Sequence, residues 1–173
     1  MKLDQRMQQI RLILSDVDGV LTDGSITFDN QGIESKTFHV RDGLGIKLWQ
    51  RSGGRFGIIT ARSSHIVKVR MAELGVDVVR QGSEKKLPVG RQLIEEMGLE
   101  PEQVCYVGDD LSDLNLLAHV GLAVTVADGV PEAKDLAHFT THSNGGKGAM
   151  RELIEAILKS QKRWQELLQA YRG

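Results

Sequence analysis

Short apolar runs alternate with helix-patterned stretches along most of this chain, and that rhythm restricts the fold more than any other feature. Leu12–Leu14, Phe56–Ile59, Val76–Val79, Val104–Val107 and Leu122–Val126 are brief, mostly aliphatic and bounded by polar or turn-forming residues, as buried strands are. Between them, Ser63–Leu74, Glu84–Met97 and Leu111–His119 carry helical spacing. Strict alternation predicts an α/β fold, a parallel sheet with helices on both faces. In such a sheet the ligand site lies beyond the carboxyl ends of the strands, so the residues that follow each run are the ones to inspect.

The first run ends abruptly in Asp16-Val17-Asp18-Gly19. Residues two apart in extended chain project to the same side, so both carboxylates can face one small space, and Gly19 permits a sharp turn there. Two such carboxylates repel unless a cation or a shared proton relieves them, which implies a metal ion or an acid/base pair. A calcium loop counted from Asp16 fails, because Val20, Leu21 and Thr27 stand where a ligand, Gly and Glu are needed. An acidic turn after a strand is the plain alternative.

Three further strand ends add polar groups. Phe56–Ile59 runs into Thr60-Ala61-Arg62, a hydroxyl and a guanidinium suited to phosphate, although Thr60 alone would also read as a helix N-cap. Val104–Val107 runs into Gly108-Asp109-Asp110-Leu111-Ser112-Asp113, three acids within five residues where one or two would satisfy a helix dipole. Lys86 opens the helix after Gln81-Gly82 and can offset those acids and hold a phosphoryl oxygen; Lys85 beside it could trade roles with it.

The rest of the chain sets the frame. With 173 residues, 40% of them hydrophobic, the whole span 1–173 is expected to form one domain. The 22 basic and 23 acidic residues leave no field to attract nucleic acid. Met1–Arg11 lacks the apolar core of an export signal and no run reaches membrane-spanning length, so a cytoplasmic protein without a membrane partner is expected. The one cysteine, Cys105, lies inside a strand run and reads as a buried structural thiol. Ser25–Phe28 and Ser35–Val40 read as two strands of a hairpin insert, about residues 24–41, with a helix following from Gly43. A single tail helix is expected over about 149–172, in which Trp164, Leu167, Leu168 and Tyr171 pack.

Taken in order, Asp16-x-Asp18-Gly19, Thr60, Lys86 and Gly108-Asp109-Asp110-x-x-Asp113 resemble the four motifs of the haloacid-dehalogenase superfamily of phosphatases. The resemblance implies a three-layer Rossmann-like fold and a phosphate-ester hydrolase. Asp16 would be the nucleophile that forms an aspartyl phosphate, and Asp18 the general acid and then base. Mg2+ would be held by the Asp16 side chain, the Asp18 backbone carbonyl and Asp109. Thr60 and Lys86 would bind phosphoryl oxygens, with Asp110 and Asp113 supporting. The gaps between motifs leave room for the hairpin flap but for no cap domain, so closure would come from a neighbouring subunit.

At finer scale, Asp16–Gly24, Phe38-His39-Val40-Arg41-Asp42-Gly43, Ile59–Arg62, Gln81-Gly82, Val107–Leu111 and Gly145-Gly146-Lys147-Gly148-Ala149 resemble the small 3-deoxy-D-manno-octulosonate 8-phosphate phosphatases. That resemblance implies a homotetramer with packed hairpins, a role in lipopolysaccharide precursor synthesis in a Gram-negative-type bacterium, and substrate contacts from Asp18, His39, Arg41, Asp42, Gly43, Lys47, Arg62, Arg70 and Lys86. Ala61 and His39 depart from the frequent Gly and Asn of the family. Phosphatases of a nine-carbon sialic-type acid 9-phosphate are the related alternative, in which the position of Arg62 tends to be acidic. A phospho-accepting regulatory domain is a third reading, opposed by Asp18, which follows Asp16 where a switch has no general acid. The glycine-rich segment 145–148 reads by itself as a mobile turn before the last helix, while the resemblance implies that it reaches a neighbour's site; if it does, removing the residues after Asn144 is expected to slow turnover or product release while leaving the fold intact.

Overall fold

A computed structural model describes residues 1–172. Six strands form one fully parallel sheet: β1 (Leu12–Ser15), β4 (Arg55–Ile59), β5 (Val78–Arg80), β6 (Val104–Val107), β7 (Leu122–Thr125) and β8 (Phe139–Thr140), in the order β5-β4-β1-β6-β7-β8. The chain leaves β1 towards β4 and β5, then returns to the other side of β1 with β6. That reversal opens a crevice beyond the carboxyl ends of β1 and β6. A separate two-stranded hairpin, β2 (Thr27–Phe28) and β3 (Glu34–Ser35), stands off the sheet between β1 and the helix that precedes β4.

Alternate residues of each strand enter different layers. Ile13, Phe56, Ile58, Cys105, Val107, Leu122 and Val124 pack with α1 (Leu3–Gln9), α2 (Val40–Arg51), α3 (His65–Glu73) and α7 (Ala149–Ser160). Leu12, Leu14, Ile59, Val104, Tyr106 and Ala123 pack with α4 (Lys86–Glu96), α5 (Leu114–Leu117) and α6 (Pro131–Leu136) on the other face. The result is the expected three-layer α/β fold without a cap domain. Cys105 is fully buried in it, and burial pushes its thiol well above the ordinary range. Among the described residues no helix is long and apolar enough to cross a membrane.

Several elements differ from the sequence reading. The second hairpin strand ends at Ser35, and helix α2 begins at Val40 rather than at Gly43, because His39 caps it: its Nδ1 accepts the Arg41 amide at 3.2 Å. Leu111–Asp113 is a turn of 3-10 helix leading into the short α5, not one continuous helix. The tail is broken in two, α7 and α8 (Trp164–Gln169), at Lys162, whose φ of 60° lies in the left-handed region. Trp164 is buried, and Leu167 and Leu168 pack against the core.

The glycine-rich segment is not a free strap in this chain. Gly146 N donates to Val20 O at 2.9 Å and Gly145 N to Asp128 Oδ1 at 2.9 Å, and a Cβ on Gly145 would lie 1.7 Å from Gly19 O. The segment is pressed onto the loop that follows β1. Beyond it, α7 buries Met150, Leu153, Ile154, Ile157 and Leu158. At roughly 2 kcal/mol for each such side chain, their burial is comparable with the whole stability of a typical domain. The chain truncated after Asn144 is therefore expected not to fold, contrary to the sequence expectation. Far-ultraviolet circular dichroism and a thermal melt check this: a cooperative melt near the full-length value would refute it.

Candidate active site

Asp16 is the first residue after β1, its amide held by Val107 O of the neighbouring β6 at 2.9 Å. Asp109 is two residues beyond β6. The parallel register, in which Ser15 lies opposite Val107, brings the two acids to the same crevice. The site depends on two missing Cβ atoms: one on Gly19 would lie 2.1 Å from Asp109 Oδ2, and one on Gly108 would lie 2.4 Å from the Asp113 Cβ. Gly19 also has φ +99°, so it is required twice over.

Lys86 settles the choice left open between the two lysines. Its residue is 2% exposed, with Nζ 3.0 Å from Asp16 Oδ1 and 2.6 Å from Asp113 Oδ1. Lys85, by contrast, is exposed. Asp113 Oδ1 also accepts the Tyr106 hydroxyl at 2.5 Å, while Oδ2 accepts the amides of Asp109 at 3.0 Å and Asp110 at 3.1 Å. Four donors thus saturate Asp113. Asp110 caps the 3-10 turn through the Leu111 amide at 2.7 Å. Asp109 is different: its Oδ1 is buried and has no hydrogen-bond partner.

These contrasts bear on a cation. Ligand oxygens of Asp16, Asp109 and Asp113 all lie within 4.8 Å of one another. With Asp113 saturated, Asp16 and Asp109 are the two carboxylates with capacity to spare. Burial raises Asp16 to about 6, with Lys86 opposing and Asp113 adding to the rise. Burial likewise raises Asp109 to about 7, followed by the charges of Asp16 and Asp113. Among the described residues the Asp18 carbonyl accepts no backbone hydrogen bond, whereas that of Val17 accepts the amides of Val20, Leu21 and Thr22. Two desolvated carboxylates and a free carbonyl are a hard-oxygen donor set that fits Mg2+.

Thr60 is buried after β4, its backbone fixed by Arg80 O at 2.9 Å and the Ser83 amide at 3.0 Å. It is not a helix cap, since Ser64 holds that position for α3. The Asp18 side chain turns to the flap, where Lys36 Nζ bonds Oδ1 and Arg62 Nε lies 3.8 Å from Oδ2. Lys36, Glu34 and Tyr106 were missed in the sequence. Tyr106 carried a signal, because a tyrosine in an otherwise apolar buried strand needs a partner for its hydroxyl. Lys36 and Glu34 carried none, since hairpin residues are ordinarily solvated.

The remaining sequence candidates form a second group. His39, Asp42, Gly43 and Arg70 line a small pocket with Leu21 and Phe38. Buried Asp42 accepts the Arg151 amide at 2.8 Å and so ties α2 to the start of α7; burial raises its carboxyl above the usual range. Arg70 pairs with Glu73 at 2.7 Å and lies over the Phe38 ring, in space that a Cβ on Gly43 would fill. Arg41 is exposed and Lys47 half-buried on α2. None of these side chains bonds the Asp16 cluster within the described residues.

Comparison with known proteins agrees with this arrangement. Residues 66–153 match the family model of haloacid dehalogenase-like hydrolases. The chain is 44% identical over 157 residues to the 3-deoxy-D-manno-octulosonate 8-phosphate phosphatase KdsC of Yersinia pestis, covering 91% of this chain and 84% of that protein. The Moraxella catarrhalis 3-deoxy-D-manno-octulosonate 8-phosphate phosphatase, solved with magnesium ion, phosphate ion and KDO, superposes with a TM-score of 0.95 at 37% identity, over 97% of each chain. A probable YrbI family phosphatase of Pseudomonas syringae pv. phaseolica superposes at 0.97 with 43% identity, over 99% of this chain and 97% of that one. A β1 and a β6 that end in facing aspartates, a buried lysine between them, and this degree of likeness place the chain among the haloacid dehalogenase-like hydrolases, in the family of the 3-deoxy-D-manno-octulosonate 8-phosphate phosphatases.

Proposed function

We propose that this enzyme hydrolyses 3-deoxy-D-manno-octulosonate 8-phosphate to the free sugar acid and phosphate through an aspartyl phosphate on Asp16. The observation that carries the reading is the Asp16–Lys86 pair at 3.0 Å beside the unpartnered Asp109 carboxylate. Asp16 attacks phosphorus, and Lys86, anchored by Asp113, meets the charge on the phosphoryl oxygens together with Thr60. Asp18 gives a proton to the leaving hydroxyl and then takes one from the water that cleaves the aspartyl phosphate. Asp16, Asp109 and the Asp18 carbonyl would hold Mg2+, which when bound neutralises charge between nucleophile and phosphate.

The substrate reading draws on the relatives' names and on Arg62, a cation near Asp18 suited to a sugar acid. A homotetramer accounts for Ile26, Phe28 and Ile33, each more than half exposed on or beside a hairpin too small to bury them itself. It would also give the second group, His39 to Arg70, a neighbour's substrate to contact. We assign the reaction to the cytoplasm, on the ground that a charged sugar phosphate does not cross a bilayer unaided.

The test is phosphate release from the eight-carbon 8-phosphate and from a nine-carbon sialic-type acid 9-phosphate, with and without Mg2+. Metal-dependent preference for the first is expected. Equal weak activity on both would remove the substrate assignment, and preference for the second would replace it.

Metal binding should depend on pH. Both carboxyls are raised, so the folded chain without metal binds their protons more tightly than the unfolded chain does, and loses stability as pH rises through about 6 to 7. Mg2+ needs both carboxylates ionised and restores that stability. The rise in melting temperature caused by Mg2+ is therefore expected to be full at pH 8 and to vanish near pH 5. A rise independent of pH would exclude Asp16 and Asp109 as its ligands.

A further inference from the structure

The flap meets the active site through four charges. Lys36 is buried to within 1% of its side-chain surface and bonds Asp18 Oδ1, while its Nζ also lies 3.4 Å from Glu34 Oε1. The same Glu34 oxygen accepts Arg62 Nη2 at 2.6 Å. A carboxylate of the protein is thus seated between two cations beside Asp18, where a substrate carboxylate would find the charge it requires. Glu34 and Asp18 keep only 16% and 18% of their side-chain surface exposed, so the arrangement is partly shielded from solvent and salt. Among the described residues the other oxygen of Asp18, Oδ2, has no hydrogen-bond partner, since Arg62 Nε stays 3.8 Å away while its Nη2 serves Glu34.

We propose that Glu34 is a built-in competitor for the substrate's carboxylate: it occupies Arg62 and Lys36 in the resting enzyme and holds the flap down until a ligand carboxylate displaces it. The flap then discriminates as well as covers. A ligand with a carboxylate replaces Glu34 on Arg62 and releases the flap, whereas a phosphate ester without one gains nothing from the exchange. This rests on the substrate reading above and adds a specificity-determining residue to it.

The full-length enzyme with Mg2+ tests the proposal, comparing wild type, Glu34→Gln and Glu34→Asp on 3-deoxy-D-manno-octulosonate 8-phosphate and on p-nitrophenyl phosphate, which has no carboxylate. Glu34→Gln is expected to lower KM for the sugar acid phosphate about two- to five-fold, the range for a partly exposed ion pair, and to leave KM for p-nitrophenyl phosphate unchanged. Glu34→Asp keeps the charge and should stay nearer wild type. Melting temperatures should fall by no more than about 4 °C, the equivalent of that ion pair, since the hairpin side chains Ile26, Phe28 and Ile33 stay exposed. An unchanged or raised KM on the sugar acid phosphate, or an equal change on both substrates, overturns the proposal. A wild type active on p-nitrophenyl phosphate alone overturns the substrate reading, and the proposal with it.

Discussion

Asp16→Asn is expected to lower phosphate release by on the order of 10^4-fold or more, because an amide cannot supply the attacking oxygen and removal of a covalent nucleophile is not compensated elsewhere in a site. The fold should not suffer. Burial already works against ionised Asp16, raising it to about 6, and Lys86 keeps its 2.6 Å partner in Asp113. A neutral side chain of the same shape relieves that desolvation, so the metal-free variant should melt no lower than wild type. Its gain from Mg2+ should be much smaller, since one of the two charged ligands proposed above is gone. Activity within 100-fold of wild type would exclude Asp16 as the nucleophile, and an undiminished Mg2+ shift would exclude it as a ligand.

That a single substitution can be read this way follows from where the sequence was legible. Strands that end in acids announce themselves, because a parallel strand is an unbroken apolar run and a charge at its end has few other reasons to be there. Asp16, Asp109 and the sheet that aligns them came from that contrast. Lys86 could be separated from Lys85 only by the structure, since helix pattern alone does not say which of two adjacent lysines turns inward. The 3-10 turn at Leu111–Asp113 was likewise hidden: what tightens it is the Asp113 carboxylate reaching back to two amides, a tertiary choice rather than a propensity. The flap was misread for a related reason. Ser35–Val40 reads as a strand after the turn at Asp29–Gly32, yet His39 caps a helix and Lys36 is drawn to Asp18, and neither pull is visible in the sequence.

The glycine-rich segment shows the opposite error. Glycines invite a reading of mobility, but Gly145 and Gly146 are there because any side chain would collide with the backbone at Gly19, Thr22 and Asp23. Close approach, not freedom, is what they supply. The β1 loop that carries Asp18 is therefore braced from behind by the segment leading into α7. Core packing of α7 and geometry of the active site meet through that contact, so truncation is expected to disturb both.

The same coupling makes Asp113 the most consequential residue outside the reacting atoms. Its two oxygens take Lys86, Tyr106 and two backbone amides, and Asp113, Lys86 and Tyr106 are themselves buried, so water does not replace the carboxylate for them. Asp113→Ala leaves a buried ammonium with Asp16 as its one remaining anion, and three further donors unpaired. Breaking a buried pair in this manner costs roughly 3–5 kcal/mol, which for a chain of this size corresponds to a fall in melting temperature of roughly 10 °C. Asp113→Asn should be no rescue. Its amide oxygen can accept from Lys86 and Tyr106, but its NH2 then faces the amides of Asp109 and Asp110, donor against donor. Because Lys86 loses the charge of one of its two anchors in either variant, kcat should also fall, by about 100-fold, at temperatures where the variants remain folded. Urea denaturation and initial rates at low temperature measure the two effects separately. A stable Asp113→Asn with normal kcat would mean that Asp16 alone positions Lys86, and that the amides of the 3-10 turn do not depend on the charge of residue 113.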